Sequence, residues 1–547
     1  MEKFPPWSRC QNLERGNMRE LACEILVVGG GVGGCAAALA AADAGRSVIL
    51  TQPTAWIGGQ FTSQAVPPDE HPHIESYGCT RSYRSFRERV RAHYRAEFSL
   101  SERAMRAPHL NPGAGWVSRL CFAPHVGVRV LEEMLAGPMA DGRLTLLRRY
   151  EAVRAEADSD LVRSVEFRSL DSGEGLVIAA KYVLDATETG DLLPWVGAEY
   201  RVGAESQSET GEPHALPGPS RPECVQGITW CFAMGFQEGA DNTIERPRSY
   251  ERWRAYRPDV WPGHLLSWTT QDVQTLQPRR WTLWGKDSPD GLGLFEYRRI
   301  ASRETLADPG TEEVTIVNWP QNDYFVGRVI DEPPEVVAQR LEEARELSLS
   351  LLFWLQTEAE RPDGGTGYPE LRLRPDITGT ADGLALAPYH RESRRIVAQW
   401  TVSENYVAAG CNPGRTHAEP IPDSVGIGSY RIDLHPRTGG LGTIDIPSVL
   451  FQIPLRSLTP VRLRNLLPAA KNLGVTHIAN GCYRLHPIEW NVGEATGTLA
   501  AFCLSSGCEP KDVSNSETLF RALQNQLRAR GVELEWPPEA TPPGWPY

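Results

Sequence analysis

Three glycines carry the sharpest chemical signal in this sequence. Gly29-x-Gly31-x-x-Gly34 stands in VVGGGVGGCAAALAAADAGRSVIL, directly after an apolar run and at the head of an Ala-rich one. In a strand–turn–helix setting Gly29 permits the tight turn, Gly31 lets backbone approach a pyrophosphate, and Gly34 lets helix and strand pack closely. A helix that begins there offers free N–H groups and a positive dipole to phosphates. The spacing predicts a dinucleotide site, with Gly33 inside it. The fingerprint asks for an acid at the end of the second strand, and Gln52 stands in that place. Its carbonyl oxygen can accept from one ribose hydroxyl, without the gain of a charge-assisted bond. No second GxGxxG follows. Gly58-Gly59-Gln60 after the second strand, and the run Asp185-Ala186-Thr187 to Gly190-Asp191 after a later one, favour FAD over NAD.

Other clusters carry weaker signals. Tyr389, His390, Arg391, Glu392 and Arg395 have the charge density of a solvated face or an interdomain network; Tyr389 and Arg391 stand as catalytic candidates. Asp433 and His435, two apart on a strand, share a face and suit a pocket wall. Asp69-Glu70-His71 imitates a metal cluster, but adjacent loop side chains seldom converge, and no metal is expected. The tryptophans of the middle third read as core.

These residues need elements to place them. Glu24–Val28, Cys35–Ala44 and Arg46–Thr51 make a βαβ unit. Ser82–Phe98 and His125–Ala136 have helical periodicity. Leu144 to Ala186 reads as strands, with LTLLRRYEAV as one of them and Asp-Ser-Gly among the turns. Residues 200–330 show Pro, Trp and few periods. Val336–Gln356 is an amphipathic helix, Val461–Ser506 returns to strand, turn and buried helix, and Ser516–Arg530 is a surface helix. The expected fold is α/β: a Rossmann-type domain with a β-meander insertion, and a second domain threaded through it. Its parts are an extension at 1–22, a discontinuous cofactor domain at 23–200 and 445–510, a substrate domain at 201–444, and a helix and tail at 511–547.

The 547 residues suffice for a large core and a buried cofactor. A net charge of −13, with Arg scattered, excludes the footprint of a nucleic-acid binder. Only five basic residues are Lys. Eleven Cys without a CxxC pair read as reduced thiols. The apolar stretch 25–44 is broken by its Gly cluster and lacks a basic leader, so neither a signal peptide nor a membrane span is expected, and the expected compartment is the cytoplasm.

Several longer motifs carry a resemblance: PPDEHPHIESYG (67–78), GWVSRLCFAPHVG (115–127), LDATETGDLLP (184–194), NWPQNDY (318–324), YHRESRRI (389–396), DSVGIGSYRIDLHP (423–436) and NLGVTHIANGCYRLHPIEWNVGEATGTLAAF (472–502). With them the chain resembles the bacterial FAD-dependent oxidoreductase family of the glutathione-reductase-type Rossmann superfamily, from about Cys23 to Pro537. The resemblance implies FAD with its ADP half on Gly29, Gly31, Gly34 and Gln52, where relatives commonly have Glu. It implies Gly58, Gly59 and Gln60 near pyrophosphate and ring, and Val153, Ala186, Thr187 and Asp191 among the cofactor contacts. It puts Asn472 near the ribityl chain, in the place of a superfamily Asp, and Gly493-Glu494 near the pyrimidine end. Arg484 and His486 just before the last helix become catalytic candidates, with His486 as general base. The iron–sulfur Cys runs of heterodisulfide reductase relatives are missing. The reaction expected is oxidation of a small organic substrate at a C–OH or C–N bond, by hydride transfer to flavin N5. Oxygen or a separate electron carrier would reoxidise the flavin; an oligomer stays open. The alternatives are a monooxygenase fed by an external reductant and a non-catalytic flavin-binding protein.

Overall fold

The computed structural model describes residues 18–542. β1 (Arg19–Val28), α1 (Val32–Asp43) and β2 (Val48–Gln52) form the first βαβ unit. The Ile25–Val28 end of β1 pairs in parallel with Val48–Thr51 on one side and with Tyr182–Asp185 on the other. Flanked on both edges and covered on both faces, that end must be continuously apolar, as it is. The stretch 25–44 is thus a strand, a turn and a buried helix. Among the described residues no helix is long and apolar enough to cross a membrane.

After α2 (Arg81–Glu97) and α3 (Pro124–Ala140), the chain returns to the sheet with β3 (Leu144–Arg148), β4 (Tyr150–Asp158), β5 (Leu161–Ser169) and β6 (Gly175–Asp185). The strand order is β3-β2-β1-β6-β5-β4. LTLLRRYEAV is two strands, not one. Arg149 adopts a left-handed φ of 62° between them, so β3 joins the parallel layer while β4 starts the antiparallel meander. The long β6 serves both, pairing with β5 in its first half and with a late strand in its second.

The expected extension at 1–22 ends earlier than expected. Residues 1–17 lie outside the described part, but Arg19–Ala22 already belong to β1 and pair with Leu176–Ala179. Their side chains are mostly half-buried or exposed. Backbone pairing holds them in the sheet, and a hydropathy reading is blind to that.

The middle of the chain is more ordered than its sequence promised. β7 (Phe232–Phe236), β8 (Arg299–Ala301), β9 (Val314–Val317) and β10 (Leu371–Leu373) form an antiparallel sheet in the order β8-β9-β7-β10. These strands are short, and β7 and β9 are buried on both faces, so no period of two shows in the sequence. α4 (Pro334–Thr357) packs on this sheet through a face that includes Leu347, Leu351 and Leu355. Trp230, Trp253, Trp261 and Trp268 are core residues here. The hairpin β11 (Ile432–Leu434) and β12 (Ile444–Ile446) belongs to the same region.

β13 (Leu466–Pro468) then re-enters the parallel layer beside β6. It leads into α5 (His477–Tyr483), α6 (His486–Ser506) and, after a short turn, α7 (Glu517–Arg530). α6 and α1 cross at backbone contact. A Cβ on Gly493 would stand 2.0 Å from the Gly33 carbonyl oxygen, and one on Gly497 2.3 Å from that of Ala37. The Ala-rich face of α1 exists to admit this second helix. Its consequence is positional: the N-termini of α1 and α6 meet at the carboxyl ends of β1 and β6.

Candidate functional site

The glycine turn is locked by backbone contact. Gly29 has φ +102° and donates its N–H to the Thr51 carbonyl at 3.1 Å, which joins the ends of β1 and β2. A Cβ on Gly33 would lie 1.9 Å from the Ala469 oxygen, and one on Gly34 1.9 Å from the Gly29 oxygen. The turn at 58–61 folds back on this one: Gly58 N–H donates to the Gly30 carbonyl at 2.7 Å, and a Cβ on Gly59 would meet Gly31 Cα at 2.9 Å. No side chain caps α1 from Gly31. Around the turn, Glu489 Oε1 accepts from Gly33 N–H at 3.3 Å, and Gln60 Nε2 donates to Glu489 Oε2 at 2.5 Å and to the Arg484 carbonyl at 3.1 Å.

Several expected cofactor contacts do other work. Gln52 Oε1 accepts from Gly30 N–H at 2.7 Å and its Nε2 donates to Thr54 at 2.6 Å, so the amide braces the turn instead of standing free for a ribose. Asn472 is likewise spent on backbone: Oδ1 accepts from Ala470 N–H at 3.3 Å and Nδ2 donates to the Asp185 carbonyl at 3.0 Å. Its neighbour Lys471 projects to the turn instead, wholly buried, with Nζ 2.5 Å from Glu188 and 3.5 Å from Glu489. The sequence reading missed Lys471; the rarity of Lys in the chain was the signal available. Gly493 serves the contact between α1 and α6, and Glu494 faces away from the turn, bonded to Ser82 and ion-paired with Arg530 at 3.4 Å. Val153, at a bulge on edge strand β4, is 41% exposed. Ala186, Thr187 and Asp191 build the turn after β6: Ala186 N–H donates to Val28, and the Thr187 hydroxyl donates to Asp185 and accepts from Asp191 N–H, both at 2.7 Å.

Six residues from separate segments assemble beyond the α6 N-terminus. Arg484 donates to the Tyr389 phenol oxygen at 2.8 Å and to Asp433 Oδ2 at 3.0 Å. Asp433 Oδ2 lies 3.5 Å from His435 Nε2, and His435 Nδ1 is 2.5 Å from Asp323 Oδ2. Arg391 holds Asp323 at 3.0 Å, with further bonds to the Gly227 carbonyl, Thr229 and Asn318. The run 389–395 is therefore a largely buried ionic network and not a solvated face. Arg391, expected as a catalytic candidate, has both terminal nitrogens engaged in this network. Asp69 and Arg298 pair behind this group at 3.1 Å, while Glu70 and His71 turn to Arg87 and to the Gly78 carbonyl. Asp69, Glu70 and His71 thus diverge.

The two histidines of the site have opposite electrostatics. His486 is fully buried beside Phe61, and its Nδ1 accepts from Asp69 N–H at 3.0 Å. Burial pushes its pKa down to about 3. A ring whose Nδ1 accepts carries its hydrogen on Nε2, so His486 is a neutral donor. That suits a hydrogen-bond donor better than the general base expected here. Burial also lowers His435, helped by Arg391, but the Asp323 and Asp433 carboxylates outweigh both and raise it above its ordinary value. Its side chain is 23% exposed, whereas Asp323 is fully buried. The residue pair Asp433/His435 was visible in sequence; Asp323 stood there only as part of NWPQNDY, with nothing to link it to His435.

These residues fit FAD. The glycine turn brings backbone N–H groups to the head of α1, as a pyrophosphate requires, and buried polar atoms without a partner lie on the segments that follow and face it: Gln60 Oε1 and Gln64 Oε1 after the 58–61 turn, and Arg484 Nε and His486 Nε2 at the head of α6. No curated protein matches the chain. Among solved structures, it is similar to a geranylgeranyl bacteriochlorophyll reductase-like protein from Thermoplasma acidophilum, at 10% identity over 94% of this chain and 85% of that one, TM-score 0.31. It is similar to a myxobacterial chondrochloren halogenase at 12% identity over 93% and 79%, TM-score 0.32. It also matches L-proline dehydrogenase from P. horikoshii at 14% identity and TM-score 0.19, over 37% of this chain but only 28% of that chain's length. A protein-family match of a different extent, covering residues 24–527, gives the assignment that the glycine turn and its surroundings had prepared: the chain belongs to the FAD dependent oxidoreductase family, and is an oxidoreductase with FAD as its cofactor.

Proposed function

We propose that this enzyme oxidises a small organic substrate at a C–OH or C–N bond, and that His435 takes the proton. Bound FAD supplies a hydride acceptor at N5. Oxidation at either bond also releases a proton from oxygen or nitrogen, and that proton needs a base within hydrogen-bond reach.

The observation that carries this reading is the Asp323–His435–Asp433 array. Asp323 accepts from Nδ1 and fixes the tautomer, which leaves a lone pair on Nε2. Asp433 beside Nε2 then stabilises the imidazolium that proton uptake creates. Arg391 and Thr229 hold Asp323 in place. The Tyr389 phenol accepts from Arg484, so its own hydrogen is free to point at a substrate oxygen or nitrogen. His486 offers a neutral N–H on the other wall.

The test is anaerobic bleaching of the flavin absorbance against a panel of alcohols, sugars and amines. Bleaching by one class is the expected outcome, with oxygen or a separate carrier restoring the colour. A protein bleached by NAD(P)H alone would overturn the reading in favour of a monooxygenase.

A further inference from the structure

Charge at the glycine turn is out of balance for the ligand that belongs there. Glu489 Oε1 accepts from Gly33 N–H at 3.3 Å. Glu188 Oε1 lies 3.0 Å from where a Cβ on Gly31, and equally one on Gly59, would stand. Two carboxyl groups thus occupy the first turn of α1, the end of a helix that attracts anions. Among the described residues one cation is ion-paired with both: Lys471, 2.5 Å from Glu188 and 3.5 Å from Glu489 Oε2, with a side chain fully out of solvent. A dinucleotide brings two phosphate charges to the same turn. One ammonium cannot balance two phosphates and two carboxylates in a dry site.

The other groups facing this spot do not supply the missing charge. His390 is held neutral, pushed down to about 4 by burial. Tyr389 is a buried phenol raised above its usual range, again by burial. Behind the turn, Asp191 adds negative charge near His390, and burial raises Asp185 to about 7. The remaining way to balance is to move one carboxylate and neutralise the other. Glu188 comes from the turn after β6 and is partly solvent-facing, so it can swing out. Glu489 is fixed on the first turn of α6, with Gln60 and Gly33 N–H both on its carboxyl, and it cannot leave.

We propose that Lys471 is the counter-charge of the FAD pyrophosphate, released to it by Glu188, and that Glu489 takes up one proton from solvent when FAD binds. Burial works in that direction, raising Glu489 against the pull of Lys471. The inference rests on FAD as cofactor and is independent of the substrate reaction, because none of its readouts involves turnover.

The holoenzyme tests it in two ways. Infrared difference spectra between wild type and Glu489→Gln at neutral pH are expected to show the C=O stretch of a protonated carboxylic acid in wild type only. If the band is missing, or survives in Glu489→Gln, the protonation is wrong. FAD release after dilution, followed by flavin fluorescence, is expected to speed up as pH rises, and Glu489→Gln to remove most of that dependence. Lys471→Met is expected to release FAD about 100-fold faster, and Lys471→Arg to restore most of the retention. Equal release from Lys471→Met and wild type would overturn the assignment of Lys471. If Lys471→Met does not fold, the infrared band and the pH dependence of wild type still decide.

Discussion

The two walls of the site treat histidine in opposite ways. On the Rossmann side, His486 sits at the head of α6 beside Phe61, with a backbone N–H on one ring nitrogen and no carboxylate in hydrogen-bond contact. On the side of the inserted domain, His435 stands between two carboxylates and keeps part of its ring in reach of solvent. One wall is dry and fixes a neutral donor; the other is ionic and builds a group that changes charge. An imidazole near a flavin is therefore not in itself a base. What faces its two nitrogens decides which role it has.

The comparison breaks most visibly if the wrong wall is cut. His435→Asn is expected to slow substrate-dependent flavin reduction by about 100-fold or more, while FAD content and melting temperature stay near wild type. Stopped-flow bleaching under anaerobic conditions measures it. A loss below about 3-fold would move proton transfer away from His435.

His486 is expected to show itself in stability, not chemistry. Its folded pKa of about 3 lies below the ordinary 6.5. A histidine depressed in the fold binds fewer protons there than in the unfolded chain. The stability it gives is complete above pH 6.5 and is lost as pH falls toward about 3. At about pH 5 that loss amounts to about 2 kcal/mol. His486→Gln keeps an acceptor for Asp69 N–H without a titratable ring, so its denaturation midpoint should fall less on acidification than that of wild type. Parallel pH profiles for the two proteins would refute the assignment.

The same contrast explains what the sequence displayed. The glycine turn, the βαβ unit and the α6 segment were legible because each is carried by one continuous run of sequence: Gly34, for one, is required by contact with Gly29 inside the same motif. The chemistry of the ionic wall is not local. Asp69, Arg298, Asp323, Tyr389, Asp433 and Arg484 meet only after the inserted domain folds, and no spacing records that Asp323 belongs to His435. Asn472 and Gln52 show a different limit. Both are polar residues at the right place whose amides complete backbone turns, a use that residue type does not separate from ligand contact. The sheet β8-β9-β7-β10 was unreadable because its strands are short and the central two, β7 and β9, closed on both faces, lose their alternation.

The smallest expected effect gives the finest test of the ionic wall. Asp433 and Asp323 both raise the His435 pKa, against burial and Arg391. For a base, oxidation requires the neutral ring, so the rate should rise with pH through that raised value. Asp433→Asn removes one of the two carboxylates and leaves Arg484 without its ion pair, and both changes disfavour the imidazolium. The rising limb of kcat/KM should then move to lower pH by about one unit, the shift typical of losing one nearby opposite charge. Asp323→Asn should move it the same way but also reduce the maximum, since that residue fixes the Nδ1 tautomer. A limb that moves to higher pH in Asp433→Asn would mean that the titrating group is an acid in the reaction, with proton donation and not removal as the role of this wall.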